Sequence, residues 1–391
     1  MEEPPQTTPP DQHRLREIEL DVRTQDVEIN MGPQHPATHG VLRVLLRADG
    51  EILVGAESHL GYLHRCAEKI GENVDYIQYM PYTDRYDYLS SMNNNLSYSL
   101  AVEKLLGVEV PKRGQYLRTI LAELNRIASH LVAVGTYGID IGAFTPFFYA
   151  LREREFLLDL FEKICGARLT YSYIRPGGVM NDAPAGWLNK VAEFCDIFDQ
   201  KWPEYWNLLV QNKIFIERTA NVGVMPAQTA IDWGCTGPML RGSGVDWDLR
   251  RDQPYLVYDQ LDFKVIVGEG YRGTLGDCFD RNFVRMYEML ESIKMVRQCL
   301  AAIEEGEVSH PDVSLTIRPA PGEAYVGIEN PRGELGHYVV SDGTKIAKRM
   351  RCRAPSFVNL SVVEHTLPGC MLADAAAIIG ATDIVIGETD R

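Results

Sequence analysis

Hydrophobic residues recur at helical spacing through the middle of the chain and fall into short, strand-like runs near both ends. Between residues 115 and 134, Leu117, Ile120, Leu121, Leu124, Ile127, Ala128, Leu131 and Val134 follow one another at helical steps. That spacing puts all eight on one face and predicts an amphipathic helix. Residues 151–165 open on the charged turn Arg152-Glu153-Arg154-Glu155, then place Leu157, Leu160, Phe161 and Ile164 on one face. A third helix is predicted over 277–302, with Asp277 as N-cap and Phe279, Phe283, Met286, Leu290, Ile293 and Leu300 at helical spacing. Residues 86–106 and 187–211 carry a weaker version of the same pattern.

Near the start, the run from Val41 to Arg47 reads as a strand. Asp49-Gly50 links it to Glu51-Ile52-Leu53-Val54, which predicts a hairpin with a tight two-residue turn. Beyond about residue 305, short strands are predicted at 313–317, at 337–341, and around Lys348, Arg349, Arg351 and Arg353. Strands, then a helical bundle, then strands make an α+β chain. The expected division is a disordered or extended tail over 1–25, a hairpin region over 26–60, a helical bundle over 61–304 and a C-terminal α+β region over 305–391.

Composition narrows the function. The chain has 391 residues, 45% of them hydrophobic, enough for a large core. Its 39 Lys and Arg against 54 Asp and Glu leave a net charge of −15. That balance argues against nucleic acid and against a polybasic membrane tether. The opening MEEPPQTTPPDQH is acidic and proline-rich with no apolar stretch, so neither a signal nor a transit peptide is expected there. The best transmembrane candidate, residues 130–148, is interrupted by Asp140, three glycines and Pro146, and reads as a buried helix end running into a loop. The eight cysteines include no CxxC pair, so zinc or iron–sulfur ligation by a local motif is unsupported and no metal site is expected. They are expected to be reduced and mostly buried.

Chemistry is most concentrated in Met31–Gly40, MGPQHPATHG. His35 and His39 are four apart, as in a helical metal site. Pro33, Pro36 and Gly40 argue instead for a rigid turn, with His39 at the mouth of the hairpin. A histidine held there can exchange a proton near neutral pH. Asp140 lies in the uncharged stretch Leu131–Thr145 and needs a partner, either a structural one such as a helix-end amide, or a histidine. Asp84-Arg85-Tyr86-Asp87-Tyr88 packs two tyrosines into five residues; each phenol is either half-buried core or a hydrogen-bond donor to a carbonyl. Gly268-x-Gly270-x-x-Gly273 resembles a dinucleotide fingerprint but lacks the βαβ context. Arg349, Arg351 and Arg353 alternate onto one strand face, either a solvated edge or a surface for an acidic partner.

Taken together, MGPQHPATHGVLR (31–43), GYLHRCAEK (61–69), PYTDRYDYLSSM (81–92), YSLAVEKLLG (98–107), ELNRIASHL (123–131), GIDIGAFTPFF (138–148), YIRPGGV (173–179), RAPSFVNL (353–360) and GETDR (387–391) closely resemble one family. It is the hydrogenase-large-subunit-like subunit of respiratory complex I, the proton-pumping NADH:quinone oxidoreductase. The resemblance runs from about residue 25 to residue 391. It implies the fold of the [NiFe]-hydrogenase large subunit and a peripheral position on the cytoplasmic side of the inner membrane, among other peripheral-arm subunits and the membrane arm. It implies a quinone headgroup pocket shared with a partner subunit that carries a [4Fe–4S] cluster. By motif match His39 and Tyr88 contact the headgroup, Asp140 pairs with the histidine, and Arg65 and Arg85 lie near the partner's cluster. Menaquinone or ubiquinone is the implied substrate, no cofactor is expected on this chain, and the chain is not expected to be active alone.

Two positions depart from the family pattern. Cys66 stands where a glycine is usual and reads as a tolerated small residue. Thr170 stands where many members carry a histidine thought to couple cluster reduction to proton uptake, which tilts the expected substrate towards menaquinone. Three alternatives stay open. A true [NiFe]-hydrogenase large subunit needs four cysteines in two pairs, one near each end, which this chain lacks. A non-catalytic scaffold would hold partners without touching substrate. A ferredoxin-fed relative would differ only on other subunits.

Overall fold

The computed structural model describes residues 26–313 and 316–391. The expected N-terminal tail lies outside them. So do two residues of the strand expected at 313–317, whose other positions are not in strand conformation.

Three antiparallel strands open the described chain: β1 (Val27–Met31), β2 (Arg43–Asp49) and β3 (Ile52–His59), in that spatial order. Strand β2 buries alternate residues Val44, Leu46 and Ala48 against the core, as a half-buried strand should. Its pairing with β3 puts Asp49 opposite Ile52, so the turn residues are Gly50 and Glu51. The turn therefore sits one residue later than expected, because Gly50 supplies the left-handed φ of +62°.

The centre is helical: α1 (Ser91–Leu106), α2 (Lys112–Asp140), α3 (Phe144–Cys165), α4 (Trp187–Tyr205) and α5 (Cys278–Ala302). Each expected helix is present with shifted ends. Helix α1 begins at Ser91 rather than 86, because Asp87 folds the preceding residues into a turn. Its carboxylate accepts from Leu89 N at 3.2 Å and Ser90 Oγ at 2.8 Å. Helix α3 begins at Phe144 rather than 151. The charged turn that marked its start is interior, with Glu153 buried and holding Arg152 Nε and the Tyr205 hydroxyl. Helix α4 passes at Trp206–Val210 into one wide π-type turn. In α5, Asp277 caps as expected, accepting from Asp280 N at 2.9 Å.

Helix α2 departs most from a simple amphipathic pattern. Its eight expected apolar residues are buried, but so are Arg118, Glu123, Asn125, Arg126, Ser129 and His130. Helices α3 and α5 pack against it, and the second sheet supplies partners for its charges. Glu123 takes Arg126 and Arg250, each at 3.2 Å, and the hydroxyls of Tyr258 and Ser292. His130 Nε2 meets Glu288 at 2.9 Å, and Arg241 bridges Glu288 at 2.6 Å to Glu329 at 2.8 Å. Burial opposes charge on Glu123 and Glu288, yet the adjacent guanidiniums hold both below the usual carboxylate range. Burial also pulls His130 down, so its imidazole is neutral near pH 7.

A second antiparallel sheet follows: β4 (Gly322–Asn330), β5 (Gly333–Ser341) and β6 (Arg349–Arg353). Strand β6 buries Met350 and Cys352 and turns its three arginines to the other face. Arg349 is held by Glu72 at 2.7 Å, and Arg353 donates to the Glu334 carbonyl at 2.5 Å. The chain closes with α6 (Pro355–Ser361), α7 (Ala375–Thr382) and α8 (Ile386–Asp390). One hydrophobic core runs from Met31 to Ile386 through both sheets and the bundle. Among the described residues, no helix is long and apolar enough to cross a membrane. Residues 130–148 are the end of α2, a short break and the start of α3.

Candidate functional site

The Met31–Gly40 segment folds into the expected rigid turn. Pro36–Thr38 form a single 3₁₀ turn, closed at one end by His35 and at the other by His39. His35 Nδ1 accepts from Ala37 N at 3.2 Å, and Thr38 Oγ1 donates to the carbonyls of His35 and Gly40. The two histidines do not form a metal pair, since His35 is occupied as a cap. His39 has a left-handed backbone (φ 51°) that turns its ring away from the strand direction and towards the end of α2. There His39 Nε2 donates to Asp140 Oδ2 at 2.7 Å, with His39 16% and Asp140 6% exposed. Of the two partners open to Asp140, the structure selects the histidine. Burial lowers the proton affinity of His39. The hydrogen bond and charge of Asp140, helped by Asp383, outweigh it and hold the imidazole above its ordinary value.

The residues beneath this pair come from the end of the chain. A side chain at Gly380, in α7, would stand 2.5 Å from Asp140 Oδ2. One at Gly40 would press on Ile386, and one at Gly387 would lie 3.3 Å from the Tyr88 ring. Residues 380–387 therefore form a floor touched by Asp140, by the neighbour of His39 and by Tyr88. Tyr88 is half-buried. Burial raises its phenol pKa, with Arg332 and Arg65 opposing and Asp87 and Asp383 adding to the rise. It is a neutral O–H donor at pH 7.

Two residues that sequence reasoning missed hold the floor in place. Arg332, fully buried in the turn between β4 and β5, donates to Asp87 at 2.7 Å and to Asp383 at 3.1 Å. It also donates to the Asp383 carbonyl at 2.9 Å and to Ser129 Oγ at 2.9 Å. The charges of Arg332 and Asp383 reach both His39 and Tyr88, which places the two in one electrostatic neighbourhood. Asp383 was detectable by the argument used for Asp140, since Ile384-Val385-Ile386 follow it. Arg332 was not, because Asn330-Pro331-Arg332-Gly333 looks like an ordinary exposed hairpin turn.

Arg65 and Arg85 are brought together on the surface. Arg65 Nη2 donates to the Arg85 carbonyl at 2.9 Å and to the Gly387 carbonyl at 2.8 Å. Both arginines are exposed, one bonded to the backbone behind the other. Cys66, beside them, is exposed, so one of the eight free thiols escapes the expected burial while five are fully buried. Its φ is +56°, a left-handed conformation that glycine adopts most easily. Thr170 likewise has a left-handed φ, of +57°.

The glycine-rich 268–273 segment is irregular chain wrapped on the start of α5. Asp280 accepts from Gly270 N at 2.9 Å and Tyr271 N at 3.3 Å. Its glycines allow close packing: a side chain at Gly273 would stand 2.5 Å from Asp277 Oδ2. Nothing in that arrangement is a dinucleotide site.

A cavity of about 720 Å³ opens in front of His39, lined by Pro33, Gln34, His35, Pro36, Gly40 and Val41. That is the size of a small-molecule pocket. His39 lines it too and carries the contact to Asp140 behind it, which leaves Nδ1 as the free imidazole nitrogen. Such a pair can give a proton to a carbonyl oxygen and take one back.

The family model for the respiratory-chain NADH dehydrogenase 49 Kd subunit matches residues 140–319 and 312–391. Curated relatives match over almost the whole chain. The D subunit of the NADH-quinone oxidoreductase of Pelodictyon phaeoclathratiforme is 53% identical over 378 residues, 96% of this chain and 94% of its own. Its counterpart in Chlorobium luteolum is 52% identical over 96% of this chain and 95% of its own. The one in Chlorobaculum tepidum is 53% identical over 96% and 94%. With a family model over more than half the chain and identity above one half throughout, the chain belongs to the family of NADH-quinone oxidoreductase D subunits, the 49 Kd subunits of the respiratory-chain NADH dehydrogenase.

Proposed function

We propose that this chain forms one wall of a quinone headgroup pocket in a proton-translocating NADH:quinone oxidoreductase and protonates the reduced quinone. The observation that carries the reading is the His39–Asp140 pair at 2.7 Å, at the back of an open cavity and on the same floor as Tyr88. The described part of the cavity is built on one side only. A partner subunit bearing a [4Fe–4S] cluster is the proposed second wall. Arg65 and Arg85, exposed and adjacent, are the residues that would face that cluster and offset its negative charge.

Reduction of a quinone to a quinol takes two electrons and two protons. A cluster on the partner subunit would supply the electrons; this chain's residues supply the protons. One proton comes from the His39 imidazolium, which Asp140 stabilises, and passes from Nδ1 to one carbonyl oxygen. The other comes from the Tyr88 phenol to the second oxygen. Donors fixed in place before the charge develops are worth more than mobile water. The seat of the chain is a peripheral one, on the cytoplasmic side of the inner membrane and in contact with the membrane arm.

The test is Tyr88→Phe in the assembled complex, in membranes. The ring stays and the phenol goes. Quinone reduction falls by about a hundred-fold or more, the usual worth of a positioned acid. Electron transfer from NADH to ferricyanide stays at the wild-type rate. Unchanged quinone turnover and affinity would leave the scaffold reading in possession.

A further inference from the structure

Arg65 does more than face outwards. Its backbone is pinned to α8 before its side chain makes any contact. Asp390, a buried residue of α8, accepts from Gly61 N at 2.9 Å and from Leu63 N at 2.7 Å. The Asp390 carbonyl meets His64 Nδ1 at 2.6 Å, and the Arg391 carbonyl accepts from Arg65 N at 3.1 Å. From that fixed base the side chain reaches back along α8. Arg65 Nη2 donates to the Gly387 carbonyl at 2.8 Å and to the Arg85 carbonyl at 2.9 Å. One ionised nitrogen therefore staples α8 to the turn that carries Tyr88, through hydrogen bonds of the stronger, charge-assisted kind.

The staple closes over the contact beneath the Tyr88 ring. A β-carbon at Gly387 would stand 2.6 Å from the Tyr86 carbonyl oxygen, 3.1 Å from the Arg85 carbonyl oxygen and 3.3 Å from the ring. Glycine permits that approach, and the two hydrogen bonds from Arg65 hold its two sides together. Among the described residues no hydrogen bond fixes the Tyr88 hydroxyl, so the packing of its ring is what aims it. The charge of Arg65 also reaches the phenol, where it opposes the rise that burial imposes.

Resting on the quinone-site reading of Tyr88, we propose that Arg65 is a positioning residue for quinone reduction: by joining the Gly387 and Arg85 carbonyls, its guanidinium holds the α8 floor against the Tyr88 ring and so aims the phenol at the quinone oxygen. Arg65 touches no substrate in this role and acts through Tyr88. The role is separate from any effect of its charge on a cluster outside, because it depends on where Nη2 ends and not on the charge alone. A donor displaced by even about 1 Å loses much of its worth, which is why a staple at this point matters.

The experiment compares wild type, Arg65→Lys, Tyr88→Phe and the double variant in the assembled complex, each normalised to NADH:ferricyanide activity. Lysine keeps the positive charge but ends one bond short of Nη2. Arg65→Lys is expected to lower kcat for quinone reduction by about ten-fold, with KM for quinone within about two-fold. In the Tyr88→Phe background the same change should lower kcat by less than about two-fold, because no phenol is left to aim. Losses that multiply in the double variant overturn the positioning role and leave the quinone site standing. So does a wild-type kcat in Arg65→Lys, or a change confined to KM. A fully active Tyr88→Phe overturns both readings. If Arg65→Lys does not assemble, Gly387→Ala decides, since its β-carbon forces floor and ring apart. A loss of kcat there that vanishes beside Tyr88→Phe supports the staple; a wild-type kcat, or a loss that persists beside Tyr88→Phe, overturns it.

Discussion

Gly380 is the space in which the Asp140 carboxylate stands. A β-carbon there would lie 2.5 Å from Asp140 Oδ2 and 3.0 Å from the Tyr137 ring. Gly380→Ala should therefore strengthen α7 locally, since alanine is the better helix former by about 1 kcal/mol. It should also push Asp140 off His39. The expected outcome is an assembled complex with normal NADH:ferricyanide activity and quinone reduction lowered by about ten-fold or more. Retained quinone activity would mean that the pair is not needed in its observed geometry.

Asp140→Asn tests the sign of the His39 shift. In the wild type, burial lowers His39 and Asp140 more than restores it. With the charge gone, burial dominates and the imidazole loses its proton at lower pH. The alkaline limb of quinone reduction should move down in pH. The folded-state stabilisation contributed by the pair has the matching dependence. It is fully present below the ordinary histidine value of 6.5 and is lost as pH rises through the raised value. Stability of wild type minus Asp140→Asn, measured across pH, should shrink in that direction. A difference that grows with pH would contradict the ion pair.

The buried charges around α2 give a prediction of another kind. Arg241, fully buried, serves Glu288, Glu329 and Asp248. Arg241→Met should leave three carboxylates short of a cation and cost about 3–5 kcal/mol. Complex assembly, followed by the amount of subunit retained in membranes, should fail. Arg241→Met that assembles like the wild type would mean that the network is not needed for the fold.

Cys66→Gly should stabilise. A non-glycine residue at a left-handed φ of +56° costs about 1–2 kcal/mol, and glycine's extra freedom in the unfolded chain returns only part of that. The thermal midpoint of the complex's peripheral arm should rise slightly, with quinone activity unchanged. A lower midpoint would show that the thiol contributes a contact the backbone argument omits.

What could be read in the sequence follows the physics of each element. Helix α2 was legible because Leu117 to Val134 keep their spacing, but its last turn was hidden by Gly135 and Gly138. Those glycines let α3 pass close by: a side chain at Gly135 would meet Phe147 and Ala150 at 3.2–3.3 Å. The rigid turn at His39 was legible from its prolines and glycine. Its partner across 101 residues was open between two choices until the structure closed the contact. Strand β4 went unseen because Gly322 and Gly327 dilute its alternation. Arg332 and the α2 charges were illegible for a common reason. Hydropathy reads a charge as surface, and only the assembled fold shows which charges bring their own partners inside.

Helix α2 spans 29 residues, about 44 Å, and is walled in along most of its length. Its polar fastenings are spaced along it like rivets: the ion pairs Arg118 to Glu103 and Glu123 to Arg250, the hydrogen bond His130 to Glu288, then Asp140 to His39. A beam fastened at so many points has a stationary tip. Asp140 is that tip. His39 rides on a short surface turn with solvent on its outer side. When the proton between them leaves, beam and capped turn both hold their places, so the next proton meets an acceptor already in position.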